Sequence, residues 1–236
     1  MLARLQNAYQ RVSHALGMQR DFVADVSHEL RTPLTTIRGN LALLGRDPPM
    51  PDEERAEVLN DLVEESDRLI RLVNDLLILA RADTGPSLKQ EAISIRAVVT
   101  DACRQARQLD PQREIVEVVE DVTAQGDRDT LKQILLILLD NALKHSPGSI
   151  TVTAEAVEGQ VQISVRDHGP GISPNALPHV FDRFYRGDVD PSVPGFGLGL
   201  PIAKALVEGQ GGTITIESQL GNGSTVRVRL PQLPEA

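Results

Sequence analysis

The chain has 236 residues, of which 41% are hydrophobic and 24% charged, the composition of an ordinary globular protein of one large or two modest domains rather than a disordered or fibrous one. Its 33 acidic against 24 basic residues give a net charge of -9, and with no Trp it is poorly equipped to grip phosphates or stack bases, so a direct nucleic-acid role is excluded. The single cysteine, Cys103, cannot form an internal disulfide, and the longest apolar run, Ile134 to Leu139, is far short of the roughly 20 residues of a membrane span.

From Leu2 to about Ala82 the pattern is helical throughout. Leu2, Leu5, Tyr9, Val12 and Leu16, then Val23, Val26 and Leu30, fall on alternating three- and four-residue steps, the a and d positions of a heptad. The run Gly45 to Asp52, with three prolines, breaks the helix, and Asp52, Glu53 and Glu54 supply an N-cap and an acidic first turn for a second one. That second helix carries Leu62, Leu69, Leu72, Leu76 and Leu79 at heptad spacing. The apolar stripes are too wide for one partner each, which predicts a helical hairpin that forms a four-helix bundle as a homodimer. Thr84 to Ser87 reads as a linker.

Beyond it the pattern becomes mixed. Helices are predicted over Ser94 to about Leu109, Asp129 to Lys144, Ser173 to Phe181 with Pro174 at its first position, and Leu198 to Gln210. Strands are predicted over Ile150 to Ala154, Val161 to Val165, Ile214 to Ile216 and Val226 to Leu230. The fold class is therefore multidomain: an all-α hairpin followed by an α+β sandwich, a sheet with helices on one face.

The first helix contains FVADVSHELRTPL, with His28 beside Glu29. Heptad register puts His28 at f, furthest from the seam and out in water. A zinc-protease reading fails because the position four after His28 is Thr32, not histidine. What remains is an inconsequential surface histidine or a nucleophile, since an exposed imidazole is mostly neutral at neutral pH, and Glu29 could accept or orient a ring proton. Pro33 removes a helical hydrogen bond and invites a kink one turn on.

Four later pieces could supply a phosphoryl donor. In LLDNALKHSP, Asn141 and Lys144 are three apart, placing an amide oxygen for a divalent cation and an ammonium for phosphate on one face. VQISVRDHGPGI runs a strand into Asp167, Gly169 and Gly171, a carboxylate suited to an exocyclic amine with glycines that let backbone approach a flat ring. FDRFYRG offers Phe181 and Phe184 as anchors of a flap and Arg183 and Arg186 as phosphate partners. PGFGLGLPIAK opens a helix with Gly195, Gly197, Leu198 and Gly199, whose amides can hold a phosphate. A dinucleotide fingerprint would need glycine where Leu200 stands, and no Gly-Lys-Ser/Thr phosphate loop is present.

Taken in order, these motifs resemble the catalytic core of the bacterial sensor histidine kinases of two-component signalling: VSHELRTPL the phosphoacceptor box, LLDNALKHSP the N box, DHGPG the first glycine box, FDRFYR the F box, GFGLGL the second glycine box, with GNGSTVRVRLP similar to the closing strand. The resemblance runs from about Gln19 to Pro231. It implies a signalling coiled coil over 1–18, a dimerisation and phosphotransfer domain over 19–83, a linker at 84–87 and an ATP-binding domain over 88–233. It also implies that His28 takes the γ-phosphoryl group of ATP with Glu29 assisting, that Asp167 reads adenine, that Asn141 coordinates Mg2+, and that Lys144 and Arg186 contact phosphates. Gly187 to Pro194 would be the lid, with Gly195, Gly197 and Gly199 as hinge, and Thr32 would position water for dephosphorylation. The implied partners are a second copy and the receiver domain of a response regulator, and the implied setting is the cytoplasmic part of an inner-membrane protein anchored by segments outside this chain. Ile137, Phe196 and Pro201 depart from the family pattern. An ATP-driven clamp of the same ATPase superfamily, or a docking scaffold with weak kinase activity, are the rival readings.

Overall fold

A computed structural model describes residues 2–46, 49–83, 90–187 and 195–232. The chain divides into two compact units, residues 1–74 and 75–236.

A helical hairpin opens the chain, with its first helix and the larger part of its second in the first unit. Helix α1, Leu2–Leu44, runs through Pro33 without ending, although proline leaves the carbonyl of Glu29 without its usual helical donor. Helix α2, Asp52–Asp83, opens on Asp52, Glu53 and Glu54, acidic groups set where the helix dipole favours them. The predicted turn centred on 47–51 is described only in part, and the linker 84–87 lies outside the described residues. Along α2 the heptad leucines Leu72 and Leu79 are buried. A second stripe, Leu59, Val63, Ile70, Val73 and Leu77, is between 45% and 61% exposed in the single chain. On α1, Val23, Leu34 and Leu41 recur at 11- and 7-residue steps and are likewise exposed.

The rest of the chain forms strands β1 (Glu91–Ser94), β2 (Ile115–Val119), β3 (Thr123–Gly126), β4 (Ile150–Val157), β5 (Gln160–Arg166), β6 (Thr213–Ser218) and β7 (Ser224–Pro231), with helices α3 (Ile95–Leu109), α4 (Arg128–His145) and α5 (Gly199–Gly209). Five strands make one sheet in the order β2-β4-β5-β7-β6, parallel only between β2 and β4. Strands β1 and β3 pair separately and antiparallel. Alternate residues of the central strands, Val152, Ala154, Val161, Ile163, Val165 and Val228, point into a core closed by the apolar faces of the three helices. The expected α+β layer is thereby realised.

One helix is corrected. Over 173–181 there is only a single 3₁₀ turn, Leu177–His179. Pro178 has no N–H and disfavours α geometry at Leu177, and most bonds there close i to i+3, as from His179 N to Ala176 O at 2.9 Å. Strands β1, β2 and β3 were not anticipated from the pattern.

Candidate functional site

The side chains of α1 near its histidine are simply disposed. His28 and Thr32 are exposed and Glu29 is half-buried. Ser27, Thr35 and Thr36 turn their hydroxyls back onto the helix, to the carbonyls of Val23, Arg31 and Thr32 at 2.7, 2.8 and 3.3 Å. Among the described residues neither the His28 ring nor the Thr32 hydroxyl makes a hydrogen bond, so both face outward one turn apart, and Glu29 does not bond the ring.

In the second unit, α4 is fixed at its start by the Asp127 carboxylate, which accepts from Thr130 N at 2.9 Å. Leu131, Leu135, Leu138 and Leu139 bury one face, which turns Asn141 and Lys144 away from the core. Asn141 is half-buried, and Lys144 is ion-paired with Asp140 at 2.5 Å. Ile137 lies one turn before Asn141, and a Cβ at Gly199 would sit 3.4 Å from its Cγ2, so this departure from the family pattern seats the start of α5 against α4.

Asp167 follows β5 and continues its pairing, donating its N–H to Ser224 O at 2.9 Å. Its Oδ1 accepts from Gly169 N at 2.8 Å, which holds one carboxylate oxygen on the loop's own backbone. The turn between β6 and β7 grips the same loop. Ser218 Oγ accepts from Ile172 N at 2.8 Å, and Gly221 N donates to Pro170 O at 2.8 Å. Gly171 has φ +73°, and a Cβ there would lie 2.1 Å from Gln219 O, so the position admits only glycine. From the other side, Ser146, 3% exposed, accepts from His168 N through its hydroxyl at 3.2 Å. Ser146, Ser218 and Gly223 hold the loop that carries Asp167, yet none was singled out by sequence reasoning, although each falls inside or beside a quoted motif.

The F box and the second glycine box are joined by backbone. Phe184 N donates to Gly197 O at 3.1 Å, and a Cβ at Gly197, φ +67°, would meet Tyr185 O at 2.5 Å. Phe184 itself sits at φ +62°, a conformation costing a bulky residue about 1–3 kcal/mol, which the surrounding contacts must over-determine. Lys204 lies over the Phe181 ring, 5.7 Å from its centroid. Leu198 and Phe196 are buried, Gly195 is exposed, and α5 begins at Gly199 with no side-chain cap, leaving its first amides available to an anion. Most of the expected lid, 188–194, lies outside the described residues.

Several of these charges bear on one partly buried group. His145 is half-buried, and burial holds its imidazole below the usual histidine value. The charges of Lys144 and Arg186 push the same way, while Asp167 and Asp140 oppose them. The charges of Lys144, Asp167 and Arg186, from three separate motifs, therefore all act on one imidazole. Among the described residues no cluster of three or more His, Cys, Asp or Glu could hold a metal by itself. A hard cation that keeps waters and takes most of its ligands from substrate phosphates needs only one amide oxygen from the chain, which the side chain of Asn141, unbonded among the described residues, fits. No helix among them is long and apolar enough to cross a membrane.

Comparison with known proteins finds two family matches along the chain. Residues 18–85 match the family described as the His Kinase A (phospho-acceptor) domain, and residues 126–234 match that described as the histidine kinase-, DNA gyrase B- and HSP90-like ATPase. The signal transduction histidine-protein kinase/phosphatase MprB of Mycolicibacterium smegmatis is 36% identical over 249 residues, covering 98% of this chain and 50% of that protein. The probable sensor histidine kinase TcrY of Mycobacterium tuberculosis is 39% identical over 221 residues, 90% of this chain and 46% of that one. Among solved structures, the Acinetobacter baumannii histidine kinase AdeS superposes with a TM-score of 0.72 at 26% identity, over 88% of this chain and 98% of AdeS. Full-length ShkA in complex with AMPPNP gives 0.68 at 31% identity, over 92% of this chain and 46% of ShkA. The chain spans about half the length of the curated relatives it matches.

Proposed function

The chain belongs to the sensor histidine kinases of two-component signalling, and on that premise we propose that it transfers the γ-phosphoryl group of ATP to His28 and then to an aspartate in a response regulator's receiver domain. The observation that carries this reading is that backbone contacts join the motifs, the Asp167 loop to Ser146 just after α4 and Phe184 N to Gly197 O just before the uncapped start of α5, in a chain that also exposes His28.

In this reading Asp167 accepts a hydrogen bond from the adenine exocyclic amine, and its own Asx turn with Gly169 keeps the carboxylate from rotating away. Lys144 and Arg186 meet phosphate oxygens, and the amides of Gly199 and Leu200 at the start of α5 add fixed partial positive charge. Lys144 must exchange its pairing with Asp140 for phosphate. Asn141 would hold Mg2+, which neutralises charge on the phosphates when bound. A neutral ring nitrogen of His28 forms the N–P bond as the bond from the γ-phosphorus to the bridging oxygen breaks. ADP leaves with that electron pair, and the proton of the other ring nitrogen passes to Glu29 or water.

The exposed stripes on α1 and α2 support homodimerisation through the hairpin, since a single chain leaves them in water. Dephosphorylation of the regulator is a second activity, favoured by the exposed Thr32 hydroxyl one turn from His28 and by the kinase/phosphatase naming of the relatives. The family's usual setting, the cytoplasmic side of an inner membrane, belongs to the same proposal. Incubation with γ-labelled ATP tests the core of it. Acid-labile label retained by the chain and lost in His28→Ala is expected; phosphate release without retained label would instead indicate an ATP-driven clamp, and neither would leave a scaffold.

A further inference from the structure

Arg113 lies in the connection between α3 and β2, outside every motif that carries the proposed function. Its side chain is only 15% exposed, and its guanidinium is spent almost wholly on backbone carbonyls. Nη1 donates to Ser146 O and, at 3.0 Å, to Gly148 O, and Nη2 reaches Leu143 O at 3.5 Å. These carbonyls belong to the last turn of α4 and the residues just after it, where a helix leaves acceptors without partners and a cation is favoured. The fork is aimed from behind by Asp110, whose Oδ2 accepts from Nε at 3.2 Å and whose carbonyl accepts from Arg113 N at 3.1 Å.

The segment so clamped is the one that touches the Asp167 loop. The buried Ser146 hydroxyl accepts from Gly148 N and from His168 N, each at 3.2 Å, and His168 Nδ1 lies 3.0 Å from Ser149 O. A Cβ on Gly169 would meet His145 O at 2.7 Å, so the two loops are in close backbone contact. A continuous chain of bonds thus runs from Asp110 through Arg113 and Ser146 to the residue after Asp167. On one side of it stand Asn141 and Lys144, and on the other the carboxylate.

We propose that Arg113 and Ser146 are positioning residues that set base specificity, by holding the Asp167 loop in register with the end of α4. This rests on the reading of Asp167 as the adenine partner. A planar fork that spans three carbonyls fixes both position and direction, which a lysine, with one flexible ammonium, does only in part. When the register slackens, a carboxylate displaced by a fraction of an ångström loses its bond to an exocyclic amine, while phosphate contacts made by long side chains adjust.

The test compares ATP with ITP, whose base carries an oxygen in place of that amine, by titrating each with Mg2+ into the full chain. For Arg113→Gln and Ser146→Ala the Kd for ATP is expected to rise about tenfold, the size of one lost hydrogen bond, with the Kd for ITP within twofold of wild type. Arg113→Lys should recover part of the ATP preference. A purely structural role would weaken both nucleotides in parallel as folded protein is lost, and that parallel loss, or an unchanged ratio, overturns the proposal. Should Arg113→Gln fail to fold, Ser146→Ala and Arg113→Lys decide it alone. Asp167→Asn separates the two levels: loss of preference there with preference intact in the folded Arg113 and Ser146 variants overturns the clamp only. A preference that survives in Asp167→Asn, or a wild type that binds both equally, overturns the reading of Asp167 and the clamp together.

Discussion

A Cβ on residue 223 would fall 2.1 Å from the carbonyl oxygen of Asp167, so Gly223 and Asp167 meet backbone to backbone at the edge of the proposed adenine site. Gly223 also has φ +79°, where an L side chain is strained even with space to spare. Gly223→Ala therefore has to push the loop of Asp167 away or break the turn between β6 and β7. The expected outcome is a loss of more than about 2 kcal/mol of stability by chemical denaturation, with ATP binding reduced further than ITP binding.

The exposed stripe on α2 predicts an assembly effect without a folding effect. Ile70 is 58% exposed and Val63 61%, so a polar replacement costs the single chain little. In a symmetric dimer that buries them, Ile70→Glu forfeits roughly 1.5–3 kcal/mol per subunit, about 3–6 kcal/mol per dimer, which is on the order of a hundredfold to ten-thousandfold in the dimer dissociation constant. Sedimentation equilibrium should show monomer with unchanged helix content by circular dichroism; an unshifted dimer would place the interface elsewhere.

His145 predicts a pH dependence whose sign follows from its burial. Its imidazole is held below the ordinary value in the folded chain, burial being the first cause and Lys144 the second. The unfolded chain therefore takes up the proton first as pH falls. Stability from the neutral ring is full above the unfolded value of about 6.5 and erodes as pH falls from there towards the folded one. The melting temperature should drop between pH 7 and 5 more steeply in wild type than in His145→Gln.

Cys103 gives an opposite slope. It is fully buried on α3, and burial, reinforced by Glu117 and opposed by Arg107, pushes its thiol up to about 12. Thiolate is thus suppressed in the folded chain, and its contribution to stability is complete below the unfolded value near 8.5 and lost as pH rises from there. At pH 8 the native chain should resist a thiol reagent that labels the urea-unfolded chain completely. Equal rates would mean that α3 opens freely.

Much of the layout was legible because it depends on local pattern. The heptad leucines of α2, the acidic start at Asp52 and the proline break each act within a few residues, and α1 and α2 fall where they predict. The helices from Ile95 and Arg128 and the four longest strands were legible for the same reason. Strands β1 and β3 were not: EAIS and TAQG have little strand propensity and exist by pairing with each other. The helix predicted at 173–181 does not form because Pro174 suits a first helical position but Pro178, inside the segment, has no N–H to continue the ladder.

For the site, the sequence determined which chemical groups are present and in what order: an exposed imidazole at His28, an amide at Asn141, a carboxylate at Asp167, cations at Lys144 and Arg186, glycines from Gly195 to Gly199. Motif spacing carries that much because each motif lies on one element. Only the tertiary structure decided what holds those groups: Gly223 against Asp167, Ser146 to His168, Arg113 across the end of α4 and Ile137 under Gly199. Each of these joins residues from 22 to 62 positions apart, and backbone contacts of that kind leave no periodicity in the chain from which they could be read.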